Sequence, residues 1–128
     1  MGKRYLIDTN VVIDFLGGKL PNKAKKFLLN IDVPILSVVT QIELHSSTNS
    51  TAKEIKLINE FIDAAQVLNT LDEQIVKSCI AIRKAHKIKL PDAIIAATAL
   101  SADLVLLTRN TADFKAIKSL ETINLWEI

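Results

Sequence analysis

Four carboxylates in the sequence lie beside apolar runs, where a charged side chain is unusual. Asp8 directly follows "YLI", Glu43 lies shortly after "VPILSVV", Asp92 opens "AIIAATAL", and Asp113 follows "LVLL". A buried, unpaired carboxylate is costly. Each of these acids therefore either caps a helix or takes part in binding a ligand.

Carboxylates brought together at one place repel one another unless a cation neutralises them. A site with oxygen ligands alone selects a hard cation such as Mg²⁺ or Mn²⁺. A cation of this kind polarises a phosphoryl oxygen and lowers the pKa of a bound water. If the four acids converge, the sequence predicts metal-dependent hydrolysis of a phosphate ester.

Each acid also has a purely structural interpretation. Asp8 can cap a helix that starts near Asn10, and Glu43 can form a capping box with Thr40 as the N-cap. Asp92 can simply favour a helix N-terminus, and Asp113 can cap a short helix in "FKAIK". These interpretations weaken when the four acids are taken together, because all of them would lie at one edge of the predicted fold.

Apolar runs alternate with helical periodicity along the chain. Strands are predicted at residues 4–8 and 34–38 and within "QVLNT", "LVLLT" and "TINLW". Helices are predicted in "NVVIDFLGG", "PNKAKKFLLNI", "TQIELHSS", "TAKEIKLINEFIDAA", "LDEQIVKSCIAIRKAHK", "PDAIIAATALSA" (Pro91 first) and "TADFKAIKSL". This alternation predicts a three-layer α/β/α sandwich with a central, mostly parallel sheet, formed by residues 1–128 as one domain. Ligands of such sheets bind beyond the carboxyl ends of the strands.

Composition limits the classes of protein that remain. The net charge of +2 permits a nucleic-acid partner without requiring one. The single cysteine excludes an internal disulfide and a multi-cysteine metal site. Charged Lys3 and Arg4 lead into the first strand, so we expect no signal peptide, and no apolar run approaches the roughly 18 residues of a membrane span. We therefore expect a cytoplasmic location.

Other phosphate-handling folds fit the sequence less well. A haloacid-dehalogenase-like phosphatase would have a second aspartate two residues after Asp8, where this chain has Asn10. "LSVVTQIE" and "LLTRN" supply neither the phosphoacceptor nor the lysine of a response-regulator receiver. With three glycines in the whole chain, phosphate-loop and dinucleotide fingerprints are absent.

Four motifs resemble those of PIN domains, in order and in spacing, over nearly the whole chain. They are "LIDTNVVIDFL", "VVTQIELHSS", "KLPDAIIAATAL" and "DLVLLTRNTADF". Size and layout are similar to those of VapC-type toxins of toxin–antitoxin operons. The second motif departs from the family pattern, since "ELHSS" lacks the glycine that often follows it. That departure touches backbone packing and removes no acid.

The resemblance implies a Mg²⁺- or Mn²⁺-dependent endoribonuclease with a PIN-like fold. By motif position, the catalytic and metal-binding acids are Asp8, Glu43, Asp92 and Asp113. The polar residues that would support them are Thr9, Asn10, Thr108 and Asn110. Cations near the acids in sequence, namely Lys87, Lys89 and Arg109, are the predicted RNA contacts.

The same resemblance implies protein partners. VapC-type toxins form homodimers and are masked by a VapB-type antitoxin, whose tail enters a groove and blocks the acidic pocket. The alternative is a non-catalytic PIN-like module that binds RNA or protein. Such a module would have lost one or more acids, whereas this chain carries all four.

Overall fold

The computed structural model describes residues 2–128, and its centre is a five-stranded parallel sheet. The strands are β1 (Tyr5–Ile7), β2 (Ile35–Ser37), β3 (Gln66–Leu68), β4 (Val105–Leu107) and β5 (Thr122–Ile123). Their order is β3-β2-β1-β4-β5, and each neighbouring pair is parallel. The first strand in the chain, β1, therefore lies at the centre of the sheet, and the carboxyl ends of all five strands lie at one edge.

Helices cover both faces of this sheet. They are α1 (Thr9–Leu16), α2 (Asn22–Leu29), α3 (Val38–His45), α4 (Ala52–Ala64), α5 (Glu73–Ala85), α6 (Leu90–Ser101) and α7 (Thr111–Phe114), and a 3₁₀ helix (Leu125–Glu127) follows β5. Successive strand residues point to opposite faces. Leu6 and Leu106 accordingly pack in the core with α5 and α6, whereas Ile7 and Leu107 pack in a second core with α1 and α2. The predicted three-layer sandwich is confirmed.

Helix starts differ from the sequence prediction at two places near the acids. The N-cap of α3 is Ser37, whose Oγ accepts the N–H of Thr40 at 3.1 Å, so the prediction of Thr40 as the cap was wrong. Helix α6 begins at Leu90, so Pro91 is its second residue. In both cases the first residue of the helix depends on where the preceding strand or loop ends.

The C-terminal part is less regular than predicted. Helix α7 is a single turn that ends at Phe114, and the strand predicted in "TINLW" covers only Thr122–Ile123. Beyond it, Asn124 Oδ1 accepts the N–H of Trp126 at 2.9 Å and starts the 3₁₀ helix. This local capping competes with strand pairing and turns the chain away from the sheet.

Within the described residues, every helix is too short or too polar to span a lipid bilayer.

Candidate functional site

Asp8 lies where β1 passes into α1, and its carboxylate is anchored at both oxygens. Its Oδ1 accepts the N–H of Thr9 at 2.8 Å, which makes Asp8 the N-cap of α1. Its Oδ2 accepts the hydroxyl of Thr108 at 2.8 Å. The backbone N–H of Asp8 bonds to the carbonyl of Leu107 at 2.9 Å, which fixes the residue against β4. Asp8 thus caps a helix and also presents a buried carboxylate at the sheet edge, so the two interpretations of this residue are compatible.

Glu43 is held in place by a chain of buried hydroxyls. The Thr9 hydroxyl lies 2.6 Å from Glu43 Oε1 and 3.0 Å from the Thr40 hydroxyl, and the Ser37 hydroxyl lies 3.4 Å from that of Thr40. An ionised carboxylate only accepts. The single hydroxyl proton of Thr9 therefore goes to Glu43, and Thr40 donates to Thr9 while accepting from Ser37. The predicted capping box between Thr40 and Glu43 is replaced by this relay.

Asp92 and Asp113 come from the other half of the sheet edge. Asp92 is half-buried in the first turn of α6 and forms no side-chain cap there. Asp113 is exposed in α7, where its Oδ2 accepts the side-chain amide of Asn110. Since α7 already includes Asp113, this residue does not cap a helix in "FKAIK". Asp92 therefore lies in the first helical turn, where an acid favours the helix N-terminus, as its structural interpretation predicted.

The pKa shifts show that these acids share one electrostatic environment. Burial raises the pKa of Asp8, the hydrogen bonds from Thr108 and Thr9 lower it, and the charge of Glu43 raises it further. Burial also raises the pKa of Asp92, followed by the charges of Asp8, Asp113 and Glu43, while Lys89 lowers it. Asp92 is therefore within electrostatic range of the other three acids, and Asp8 is within range of Glu43.

The side chains do not form a ready metal cage. Among residues 2–128, no three His, Cys, Asp or Glu side chains are placed so that they could hold a metal ion together. The edge combines the buried carboxylate of Asp8 and the half-buried one of Asp92 with the exposed carboxylates of Glu43 and Asp113, and hydroxyl and amide groups orient three of the four. Carboxylate oxygens are ligands that suit a hard cation. The pKa values of Asp8 and Asp92 are raised first by burial and then by neighbouring acids, and a cation would offset both effects.

The supporting residues have unequal roles. Thr108 is buried, and besides binding Asp8 its hydroxyl oxygen accepts the N–H of Asn110 at 3.0 Å. Asn10 is exposed in the first turn of α1. The predicted RNA contacts Lys87, Lys89 and Arg109 are also exposed. Of the supporting set, Thr9, Thr108 and Asn110 each hydrogen-bond an acid, and Asn10 does not.

Two members of the hydroxyl relay that leads to Glu43 were not assigned to the site from the sequence. Ser37 and Thr40 are fully buried members of the hydroxyl relay. Ser37, Thr40 and Glu43 recur at intervals of three residues, which places them along one side of a helix. That spacing is the signal that could have found them.

The fold and its acidic edge, which carries Asp8, Glu43, Asp92 and Asp113, define an α/β protein with acidic side chains at the carboxyl ends of a parallel sheet. The family model described as "PIN domain" matches residues 5–120, and the chain belongs to this family. The membership predicted from the four motifs is thereby confirmed.

Solved structures agree with this assignment. The chain is 32% identical to a chain of a toxin–antitoxin complex from Klebsiella pneumoniae, with 97% and 99% of the two chains covered and a TM-score of 0.79. It is 26% identical to a chain of VapBC-1 from nontypeable Haemophilus influenzae (94% and 97% covered, TM-score 0.80). It is also 26% identical to a chain of DNA-bound VapBC from Salmonella typhimurium (97% and 99%, TM-score 0.81). No curated protein matches the sequence closely enough to be compared. The predicted likeness to VapC-type toxins is confirmed.

Replacing Asp8 with Asn should stabilise the metal-free protein at neutral pH. The folded-state pKa of Asp8 is raised above its ordinary value of 3.8. Protonated Asp8 therefore contributes stability that is fully present below pH 3.8 and is lost as the pH rises through the folded-state pKa. The advantage of Asp8→Asn in the free energy of unfolding should therefore grow with pH. Urea unfolding in EDTA from about pH 3 to about pH 8 measures it.

Asp103→Asn is the control for this substitution, since Asp103 is exposed and has a φ of 56°, which Asn tolerates. If Asp8→Asn is less stable than the wild type at every pH, the hydrogen bonds to the ionised carboxylate outweigh its burial cost.

Replacing Thr9 with Val should lower the free energy of unfolding by about 1–3 kcal/mol, because the buried Thr40 hydroxyl then loses its acceptor. Thr9→Ser keeps the hydroxyl and should cost less. Urea unfolding of the two variants side by side measures the difference. Equal stability of the two would show that the relay does not hold the fold together at this point.

Proposed function

We propose that this protein is a Mg²⁺- or Mn²⁺-dependent endoribonuclease and the toxin of a toxin–antitoxin pair. The observation that carries the proposal is the geometry at the carboxyl edge of the sheet, where Thr9 donates both to Asp8, at 2.8 Å, and to Glu43, at 2.6 Å, and where Asp92 lies within range of both charges. Membership of the PIN domain family and likeness to chains of toxin–antitoxin complexes support it.

Asp8, Glu43, Asp92 and Asp113 are the residues that would hold the cation. Their oxygens suit a hard divalent ion, and its charge would offset the burial and the neighbouring acidic charges that raise the pKa of Asp92. When bound, the ion would polarise a phosphoryl oxygen and make an attacking water more acidic.

The protein's own side chains have different roles in the proposed reaction. Asp8 is the most firmly positioned acid, because Thr9 and Thr108 occupy one lone pair on each of its oxygens and leave others for a cation. Glu43 is held through Oε1, so its second oxygen is the one to orient the attacking water and accept a proton from it. Lys89 stands closest in sequence to Asp92 among the cations and offsets its charge. With Lys87 and Arg109 it would attract the RNA backbone.

Asp8→Asn and Asp92→Asn should each lower the rate of RNA cleavage at least about a hundredfold, because each removes a charge that holds the cation and stabilises the transition state. The purified protein, free of antitoxin, is incubated with total cellular RNA in Mg²⁺, Mn²⁺ or EDTA, and the cut ends are sequenced. Discrete cuts with 5′-phosphate ends that disappear in EDTA are expected.

Asp103→Asn, at the opposite edge of the sheet, should cleave like the wild type. Cleavage that survives Asp92→Asn would indicate a contaminant. RNA binding without cleavage by the wild type would favour the alternative, a non-catalytic PIN-like binding module.

An antitoxin would fit a groove of about 270 Å³ that lies next to the acids. Apolar side chains from α1, α3 and α4 line it, including Ile13, Leu44 and Ile58, and Glu43 belongs to the same wall. Ile13 is half exposed (50%) although it is apolar. A VapB-type antitoxin segment seated there would cover apolar surface and block access to Glu43.

A homodimer would use the outer face of α5 and the start of α6. Val76 and Ile80 are 44% and 52% exposed and lie one turn apart on α5, and Leu71 and Leu90 flank them with 46% and 49%. The shallow pocket among these residues is lined by apolar side chains and Cys79. An apolar surface of this kind is typical of an interface between subunits.

Ile80→Glu should therefore convert the dimer to a monomer, because it places a charge in an apolar interface. Leu29→Glu is the matched control, since Leu29 is 63% exposed on α2, away from this face. Light scattering coupled to size exclusion measures the molar mass of each variant. A wild type that is monomeric at all concentrations, or an Ile80→Glu variant that stays dimeric, would contradict this choice of face.

A further inference from the structure

Arg109 makes a contact with Trp126, a residue to which the proposed function assigns no role. The guanidinium carbon of Arg109 lies 4.9 Å from the centroid of the indole ring. A guanidinium over an indole face is a favourable cation–π pair. Trp126 is the one tryptophan of the sequence, and it is half-buried.

The chain brings both residues to the same edge as the acids. Arg109 directly follows Thr108, whose hydroxyl binds the acidic site. The N–H of Thr108 bonds to the carbonyl of Ile123 at 3.1 Å, so the ends of β4 and β5 lie side by side. The side-chain amide of Asn124 donates to the carbonyl of Arg109 at 3.4 Å and joins the start of the 3₁₀ helix that carries Trp126 to this point.

Arg109 remains open to a ligand. Its side chain is 62% exposed, and its Nη1 lies 3.9 Å from Asp14 Oδ2. An ion pair this long and this exposed holds the guanidinium weakly. Arg109 has five N–H donors in a planar fork that matches the oxygens of a phosphate.

We propose that Arg109, positioned by the Trp126 ring, binds a backbone phosphate of the RNA next to the scissile one. This inference rests on the proposed function and adds a specific substrate contact to it. The four acids repel the RNA backbone, so a fixed cation on their rim offsets that repulsion where the strand enters. Trp126 is a positioning residue, since the ring restricts the Arg109 side chain before RNA arrives and less freedom is lost on binding. Asp14 holds the guanidinium loosely until a phosphate replaces it.

The test measures RNA affinity in the Asp92→Asn background, so that the RNA is not cut. Binding of a fluorescent single-stranded RNA of mixed sequence is followed by anisotropy at constant Mg²⁺ and increasing KCl. Arg109→Gln should weaken binding roughly tenfold and reduce the slope of log affinity against log salt by about 0.7, the value for one phosphate contact on a single strand. Lys26→Gln, in the last turn of α2, is the charge-matched control and should change neither.

Trp126→Leu should weaken binding in the same way, whereas Trp126→Phe keeps an aromatic face and should weaken it less. Because Trp126 acts through Arg109, Trp126→Leu should have no further effect once Arg109 is Gln. Melting temperatures identify any variant that fails to fold, in which case the Phe variant carries the comparison.

Three results would overturn the inference. If Arg109→Gln binds RNA as tightly as Lys26→Gln does, Arg109 does not contact a phosphate. If Trp126→Leu weakens RNA binding equally with and without Arg109, Trp126 does not act by positioning Arg109. If the Asp92→Asn protein itself binds no RNA, the proposed function fails together with this contact. That failure is distinguishable, because it appears before any change at Arg109 or Trp126.

Discussion

Thr9 connects two carboxylates that repel each other at the edge of the sheet. Its backbone N–H is donated to Asp8, and its hydroxyl lies 2.6 Å from Glu43. Both bonds come from one residue in the first turn of α1, so the separation of the two acids is set by that turn. Hydrogen bonds to a charged acceptor are stronger than neutral ones. They keep both acids oriented although burial raises the pKa of Asp8.

The parallel sheet supplies the frame for this arrangement. Asp8 comes from the end of β1, the hydroxyl relay starts at the end of β2, and Thr108 follows β4. Because parallel strands end at one edge, residues separated by 100 positions, such as Asp8 and Thr108, meet within 2.8 Å. Two apolar cores, one on each face, hold the strands in register and leave this edge open.

The acidic edge also illustrates how a structural role and a functional role can coincide. Asp8 caps α1, and the same bond leaves its second oxygen for Thr108. Glu43 follows the opposite course, because Ser37 takes over the cap of α3 and releases Glu43 from the local hydrogen bond that its spacing allowed. Asp92 forms no cap at all, and its raised pKa reflects burial and three neighbouring acids.

The sequence by itself determined the alternation of strands and helices, the parallel sheet and the four acids at its edge, because apolar periodicity and motif order are local properties of the chain. It did not determine the N-cap at Ser37, the hydroxyl relay through Thr40, or the pairing of Arg109 with Trp126 and Asp14. The bond between Thr40 and Thr9 and the pairings of Arg109 join segments far apart in sequence, whereas the Ser37 cap is local and depends on where β2 ends. Which hydroxyl reaches which carboxylate, and which ring lies under a guanidinium, is decided only when the strands pair and the helices pack against them.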